Sequence, residues 1–159
     1  MPYPQKGVAT GVLFGNHKDT KEISPSLQVI INSLSNVEQD TMPFTTFDIT
    51  LESWARQGIL MINSALTCEM NNIGSHVMLW RPFLSKFLAN FSNSKRDVVY
   101  VLFGSQAQSF MPYIAKTNAI LGTKHPAFYA RVGFPMPPNI FNEVNLLVKG
   151  EPIHWHTDS

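Results

Sequence analysis

The run VVYVLF at residues 98–103 constrains the fold of this chain more than any other sequence feature. Its β-branched and aromatic residues favour a strand, and because it carries no charge, other elements must cover both faces of that strand. Further candidate strands are ILMIN at 59–63, NAILGT at 118–123 and the run GVLF, which ends at Phe14. These runs predict a sheet that is buried on both sides.

Segments with helical periodicity alternate with these runs. The predicted helices span residues 25–34, 51–57 and 77–91, a stretch after Gly104 and Ser105, and residues 139–148. Ser24 and Pro25 are typical of the start of the first helix, and Gly58 is typical of the end of the second. Residues 125–138 are predicted as a proline-rich loop.

Alternating strands and helices predict parallel strands that are joined by crossover helices. We therefore expect an α/β fold, a three-layer sandwich around a short, mainly parallel sheet. With 159 residues the chain fits a single domain, residues 1–159. Hydrophobic residues make up 44% of the sequence, which is enough for a core and excludes disorder over most of the chain.

The net charge of the chain does not distinguish between classes of function, and only the local distribution of charge is informative. The chain has 12 basic and 11 acidic residues, and this net charge of +1 does not by itself indicate a polyanionic partner. No acidic residue lies between Asp97 and Glu143, however, while that stretch contains Lys116, Lys124 and Arg131. The sequence therefore predicts a modest positive region on this part of the surface.

The single cysteine, Cys68, cannot form an internal disulfide or supply a thiolate metal cluster, which is typical of a reducing compartment. His154 and His156 do not form a ligand set on their own, so neither a metal nor a cofactor is expected. No apolar run approaches the roughly 18 residues that span a bilayer. We expect a soluble intracellular protein, either cytoplasmic or nuclear.

In open parallel sheets, ligands bind beyond the carboxyl ends of the strands. The residues that follow the predicted strands are 14–16, 63–67, 104–106 and 125–130. Taken singly, such residues are more often structural: an asparagine closes a strand, a phenylalanine packs in a core, and a serine reinforces a helix cap. Only their combination indicates a site.

In combination, these segments resemble the family 1 uracil-DNA glycosylases in their order and approximate spacing. The matching segments are PYP at 2–4, GVLF at 11–14, SPSL at 24–27, WARQGILMINSALT at 54–67, SHVMLW at 75–80, VLFGSQAQ at 101–108, KHPAFYA at 124–130 and PIHW at 152–155. They extend over essentially the whole chain, and no single segment would suffice.

The resemblance implies that a nucleotide flipped out of DNA enters a pocket, where the bond between uracil and sugar is hydrolysed. Phe14 would stack on uracil, and the Asn63 amide would read its O4 and N3. Tyr3 would lie against C5 and exclude the methyl group of thymine. Neutral His125 would donate to O2 while negative charge develops on the departing base.

The resemblance also implies contacts with the rest of the DNA. Phe128 or Tyr129 would enter the duplex and hold the flipped state, where the family commonly uses a leucine. The other predicted DNA-binding residues are Ser26, Gly104 and Ser105, near helix starts, which suit phosphate oxygens, and Pro126 and Ala127 in the segment after His125. The implied partners are uracil-containing DNA and, beside it, a proteinaceous glycosylase inhibitor or a replication partner.

The sequence departs from the family pattern in two places. The family motif Gly-Gln-Asp-Pro-Tyr has a water-activating aspartate where this chain has Met1, and general-base assistance is typically worth roughly 10²–10⁴-fold. The usual first strand, which lies between the strands matching 59–63 and 98–103, is also absent, and free strand edges favour pairing with a partner. A late start codon, a shortened chain and a reduced relative would each produce this pattern.

Three functions therefore stay in competition. The first is a uracil-DNA glycosylase that needs no metal. The second is a catalytically weakened or inactive relative that binds DNA, or a replication or inhibitor partner, through the same surface. The third is an unrelated nucleotide-binding α/β domain, which no Gly-x-Gly-x-x-Gly or P-loop sequence supports.

Overall fold

The computed structural model describes Tyr3, residues 10–35 and residues 45–158. The helices in these ranges are α1 (Pro25–Leu34), α2 (Glu52–Arg56), α3 (Val77–Ser94), α4 (Gly104–Gln108), α5 (Pro126–Val132) and α6 (Asn139–Leu147), with a 3-10 turn at Met111–Tyr113. The strands are β1 (Thr45–Thr46), β2 (Val99–Phe103), β3 (Ala119–Thr123) and β4 (Thr157–Asp158). The predicted helices at 25–34, 51–57, 77–91 and 139–148, and the helical stretch after residue 103, are confirmed.

A parallel pair of strands forms the centre of the fold. β2 and β3 pair in register, from Val99 beside Ala119 to Phe103 beside Thr123. β1 and β4 form a separate antiparallel pair of two residues each, which the sequence patterns did not predict. The predicted strands at 98–103 and 118–123 are confirmed, and so is their parallel arrangement.

Other elements cover both faces of β2, as the absence of charge in this strand requires. Tyr100 and Leu102 pack on one side with Ile114 and with Leu88 and Phe91 of α3. The alternate residues of β2 pack on the opposite side against the main core, to which α1 and α6 contribute. The fold is therefore the expected three-layer sandwich.

The main core joins α1 to the C-terminal part of the chain. Leu27, Ile30 and Leu34 of α1 recur at helical spacing and are fully buried. The rings of Trp54 and Trp155 meet edge to face with centroids 5.1 Å apart, and the Trp54 indole N–H donates to the Trp155 carbonyl at 3.0 Å. This hydrogen bond satisfies a buried donor and fixes α2 against the C-terminal segment.

The predicted strand that ends at Phe14 is wrong, because residues 11–14 form a turn. The Gly15 N–H donates to the Val12 carbonyl at 3.1 Å, and Phe14 has a φ of 64°, a left-handed conformation that strands do not contain. The apolar side chains of Val12 and Leu13 pack against the main core from this turn. The hydrophobicity of these two residues therefore reflects their packing against the core and does not indicate a strand.

The predicted buried strand at 59–63 is also wrong. Ile59 and Met61 pack against the main core, but Leu60 is 61% exposed, and no described strand pairs with this segment. A strand needs a neighbour for its backbone groups, and among the described residues β2 pairs with β3 alone. Residues 59–63 are therefore half-buried without belonging to the sheet.

A helix, α5, occupies the start of the predicted loop at 125–138. His125 caps this helix, since its Nδ1 accepts from the Ala127 N–H, and Pro126 takes the first helical position. Gly133 ends the helix with a φ of 71°. The loop prediction is therefore wrong for residues 126–132, because the His–Pro pair starts a helix.

A half-buried turn before α2 is held by a carboxylate. Asp48 accepts hydrogen bonds from the Thr50 N–H at 3.0 Å, the Thr50 hydroxyl at 2.6 Å and the Ser53 N–H at 2.8 Å. The last of these satisfies an amide in the first turn of α2, which has no partner within the helix. Burial acts to raise the pKa of Asp48, but these hydrogen bonds outweigh it and hold the pKa below the ordinary value of 3.8.

We expect Asp48→Asn to lower the free energy of unfolding at neutral pH by about 1 kcal/mol, as for a lost helix cap. Because the folded pKa is depressed, the contribution of Asp48 is complete above the ordinary value of 3.8 and is lost as the pH falls through the folded value. The difference between the two proteins should therefore shrink in acid. Denaturant titrations near pH 7 and near pH 3 measure this, with the exposed Asp19→Asn as control, and a pH-independent difference would contradict it.

Candidate functional site

The parallel strands deliver Gly104 and His125 to the same edge of the sheet. Gly104 follows β2 directly and has a φ of 85°, and a Cβ atom there would lie 3.0 Å from the Cβ of His125. Both the backbone conformation and the space therefore require glycine at this position. The close approach of the two chains lets His125 sit against the end of β2.

Phe14 packs beside His125. The two ring centroids are 5.4 Å apart with an interplanar angle of 67°, and the Phe14 ring also meets Phe103 edge to face at 5.4 Å. The turn that carries Phe14 is tightly seated, because a Cβ on Gly15 would lie 2.7 Å from the Thr50 carbonyl oxygen. Phe14 is therefore a fixed aromatic surface, 9% exposed, next to an imidazole.

Tyr3 is attached to the same turn. Its hydroxyl lies 2.7 Å from the Ser24 hydroxyl and donates to the Phe14 carbonyl at 3.3 Å. Burial raises the pKa of Tyr3, and the hydrogen bond with Ser24 offsets this only in part. The phenol is therefore neutral at physiological pH, and its ring is anchored near Phe14.

The hydrogen bonds of His125 select one form of its imidazole. Nδ1 accepts from the Ala127 N–H at 3.1 Å, so the proton of the neutral ring is on Nε2. Burial lowers the pKa of His125, and the positive charge of Arg131 lowers it further. His125 is therefore a neutral side chain that presents an N–H donor next to Phe14.

Asn63 supplies an unused acceptor. Its Oδ1 is buried and has no hydrogen-bond partner among the described residues. A buried amide oxygen without a partner is costly, and such atoms in native proteins are commonly completed by a ligand or water. Contacts described above join Tyr3, Phe14, Gly104 and His125 to one another. Asn63 takes part in none of these contacts, so the place of Asn63 opposite these residues stays a prediction.

Phe128 and Tyr129, the two residues predicted to enter the duplex, differ in their surroundings. Tyr129 packs against the main core. The Phe128 ring meets Tyr129 edge to face at 5.4 Å and is covered by the Lys124 ammonium, 4.1 Å from its centroid. Phe128 thus lies beside a cation and, unlike Tyr129, is not one of the residues packed against the main core.

The predicted phosphate contacts are spread over three helix starts. Ser26 is half-buried in the first turn of α1, and Ser105 is exposed in the first turn of α4. Pro126 is buried, and the Ala127 amide already donates to His125. The role of these residues toward DNA stays a prediction, with the Ala127 amide occupied.

Two residues near the site were missed from the sequence. Asn16 is buried, 3% exposed, and contacts both Phe14 and Ser24. Ser24 was predicted only as a helix cap, yet its hydroxyl also bonds Tyr3. Its place in the segment 14–16, two residues after the apolar run that ends at Phe14, was the one signal that could have identified Asn16. Met1, predicted in place of the catalytic aspartate, lies outside the described residues.

Comparisons with known proteins identify the family and the fold. A family model described as the uracil DNA glycosylase superfamily matches residues 2–149. A uracil-DNA glycosylase of Campylobacter jejuni (serotype O:23/36, strain 81-176) is 36% identical over 159 residues, 97% of this chain and 67% of its own length. One of Lachnoclostridium phytofermentans is 30% identical over 167 residues, 99% of this chain and 71% of its own length.

Solved structures show the same fold. The mimivirus uracil-DNA glycosylase has a TM-score of 0.81 at 24% identity, over 97% of this chain and 64% of that one. A mimivirus variant in complex with UGI has a TM-score of 0.81 at 23% identity, over 97% and 65%. This chain thus spans about two thirds of the length of these relatives.

The fold is that of a uracil-DNA glycosylase-like α/β domain, and the chain belongs to the uracil DNA glycosylase superfamily. The family resemblance predicted from the sequence is confirmed, and so is the fold class. In the described ranges, no helix has the length and apolar character needed to cross a membrane.

The crowding at Gly104 can be tested with a matched control. Gly104→Ala and Gly133→Ala both place a side chain on a left-handed backbone, with φ of 85° and 71°, and each should cost about 1–2 kcal/mol of stability. Only residue 104 has His125 within 3.0 Å of the new Cβ, whereas nothing lies within 4 Å at residue 133. The His125 imidazole NMR signals should therefore shift in Gly104→Ala alone, and equal shifts in both variants would refute the assigned contact.

Proposed function

We propose that this protein removes uracil from DNA by hydrolysing the bond between the base and deoxyribose of a flipped-out nucleotide. The observation that carries the proposal is that the Phe14 ring packs against the neutral imidazole of His125. The Ala127 N–H bonds to Nδ1 of this imidazole, so that hydrogen bond does not use the Nε2–H. Membership of the superfamily and the name of its curated relatives support the same reaction.

His125 acts on the departing base. As the bond between N1 and C1′ breaks, its electron pair moves into the uracil ring and appears largely on O2. A neutral Nε2–H donor stabilises this charge without first giving up a proton, and a partly buried site strengthens that hydrogen bond. Water adds its oxygen to C1′ and releases a proton, and the base leaves as an anion until it is protonated.

Phe14 and Asn63 recognise the base. The Phe14 ring provides a flat apolar surface for stacking, while the Asn63 amide pairs its carbonyl oxygen with N3–H and its NH₂ with O4 of uracil. The buried, unpartnered Oδ1 of Asn63 is the group that this pairing would satisfy. Tyr3 closes the C5 side of the pocket, where a methyl group would collide with its ring.

Phe128 holds the flipped state. We assign insertion into the duplex to Phe128 and not to Tyr129, because the Tyr129 ring is engaged by the main core. Lys124 and Arg131, in the stretch without acidic residues, flank Phe128 in sequence and supply positive charge for the phosphates. Ser26 and Ser105 would add hydrogen bonds to the same strand.

Binding of a proteinaceous inhibitor belongs to the same proposal. A solved relative with this fold is in complex with UGI. An inhibitor of this kind would compete with DNA for the surface around Phe14 and Phe128. No comparison names a replication partner, so that role stays the minor alternative.

The second candidate function, a binding module, is supported by the residue that stands in the position of the water-activating group. Met1 stands at the sequence position of the family aspartate, and a thioether cannot act as a base. The chain as sequenced should therefore hydrolyse roughly 10²–10⁴-fold more slowly than a chain that has the aspartate. The names of the relatives favour excision over binding alone.

Single-turnover assays on an oligonucleotide with one deoxyuridine test the proposal. We expect abasic sites, detected by alkaline strand cleavage, and a large loss of rate in His125→Ala. Replacing Met1 with aspartate in an N-terminally extended chain should raise the rate. If neither chain cleaves but both bind the oligonucleotide, the protein is a binding module.

The pH profile tests the role of His125 separately. Protonation of Nδ1 would break its hydrogen bond with the Ala127 N–H, and because the pKa is lowered from 6.5 this occurs only in acid. The excision rate should therefore be constant above about pH 6.5 and fall as the pH drops through the lowered value, together with part of the stability. A His125→Ala profile without this fall confirms the origin, and an unchanged fall in that variant contradicts it.

Asn63→Asp tests base recognition. A carboxylate accepts from the exocyclic amine of cytosine but cannot donate to O4 of uracil, so preference should shift from uracil toward cytosine. Excision from matched oligonucleotides with deoxyuridine or deoxycytidine gives the ratio of rates. Asn90→Asp, an exposed position on α3, is the control, and equal losses on both bases would argue against the assignment.

A further inference from the structure

A buried hydrogen-bond network connects the two walls of the proposed pocket. Asn16 lies next to the turn that carries Phe14, is 3% exposed, and is fastened through its own N–H to the Ile49 carbonyl at 2.9 Å. Its side chain reaches Ser24, whose hydroxyl bonds Tyr3. The Asn16 amide is thus linked directly to the residue that would stack on the base and, through Ser24, to the residue that would screen its C5 position.

The orientation of the Asn16 amide follows from its neighbours. Nδ2 donates to the Phe14 carbonyl at 3.2 Å and to the Ser24 hydroxyl at 3.0 Å, while Oδ1 accepts from the Ser24 N–H at 3.2 Å. The reverse orientation would place Oδ1 against the Phe14 carbonyl and Nδ2 against an N–H. Only an amide supplies two donors and one acceptor in this arrangement.

With this orientation every group in the network has a partner. The Ser24 hydroxyl accepts from Asn16 and from the Leu27 N–H, and donates to the Tyr3 hydroxyl at 2.7 Å. The Tyr3 hydroxyl in turn donates to the Phe14 carbonyl at 3.3 Å. The Phe14 carbonyl therefore accepts two hydrogen bonds, one from each end of the network.

The backbone of Phe14 is what these two bonds secure. A φ of 64° is unfavourable for a phenylalanine, because its Cβ approaches the following carbonyl. Such a conformation persists only where its surroundings over-determine it. The bonds from Asn16 and Tyr3, with the Gly15 N–H bonded to Val12, hold Phe14 in this conformation and so set the direction of its ring.

We propose that Asn16 is a positioning residue for base specificity, which fixes the separation of the Phe14 and Tyr3 rings through its hydrogen bonds to the Phe14 carbonyl and to Ser24. This inference rests on the proposed uracil excision. Loosening the network leaves both rings present but lets the Tyr3 ring withdraw, so that a 5-methyl group is admitted.

Binding to uncleavable DNA tests this directly. The probes are two oligonucleotides that differ in one nucleotide, 2′-fluoro-2′-deoxyuridine or its 5-methyl analogue, and the measured quantity is the ratio of their dissociation constants. Asn16→Asp places a carboxylate oxygen against the Phe14 carbonyl and removes both donors. We expect the preference for the uracil probe to fall by about tenfold, roughly the effect of one lost hydrogen bond to a buried group.

The pH dependence of Asn16→Asp distinguishes a positioning role of Asn16 from a general disturbance of the fold. A buried aspartic acid becomes protonated more readily than an exposed one, and its O–H restores one donor. The preference of Asn16→Asp should therefore recover in part between about pH 8 and pH 5. Protonation of His125 affects both probes alike and leaves the ratio unchanged.

Two further variants keep the test decisive if Asn16→Asp folds poorly. Tyr3→Phe removes only the hydroxyl at the other end of the network and should lower the same ratio, and the double variant should lose less than the product of the single effects. Asn142→Asp, the same exchange at an exposed position of α6, should leave the ratio unchanged. Thermal melts of each variant report whether folding is retained.

The outcomes distinguish this inference from the function on which it rests. If the unmodified protein shows no preference for the uracil probe, the proposed function fails and the role of Asn16 with it. If that preference is present but is unchanged in both Asn16→Asp and Tyr3→Phe, only the positioning role is overturned. A reduced ratio with coupling between the two substitutions supports it.

Discussion

The parallel register of β2 and β3 is the constraint on which the site depends. Because Phe103 lies beside Thr123, both strands end at the same edge, and the residues that follow are brought together. Gly104 leaves the space into which His125 fits, and the cap of α5 then fixes the imidazole. A slip of one residue would turn His125 toward the opposite face of the sheet, away from Phe14.

The interior of the site is built from neutral polar groups. Burial raises the pKa of Tyr3 and lowers that of His125, and both shifts favour the uncharged side chain. Asn16 and Asn63 are amides without charge. In the proposed reaction a neutral base would enter without displacing an ion pair, and the negative charge that forms as it leaves would meet fixed donors, while cations such as Lys124 stay at the surface.

The described residues contain the half of the proposed reaction that concerns the base. In the proposed reaction, stacking, edge recognition and stabilisation of the departing anion would fall to the turn at 11–16, to Asn63 and to His125. The activation of water would depend on the residue at position 1, where the sequence has methionine. Recognition of the base and activation of water would therefore respond to different substitutions.

Sequence alone determined the described helices other than α5, the two parallel strands and the family, because local periodicity, caps such as Ser24 and ordered motifs indicate them. It did not determine that residues 59–63 lack a strand partner or that Phe14 is in a turn, since hydrophobicity reports burial and not pairing. The role of Asn16 was also undetected. Its hydrogen bonds join residues 3, 14 and 24, and only folding brings these positions close enough for their donors and acceptors to meet.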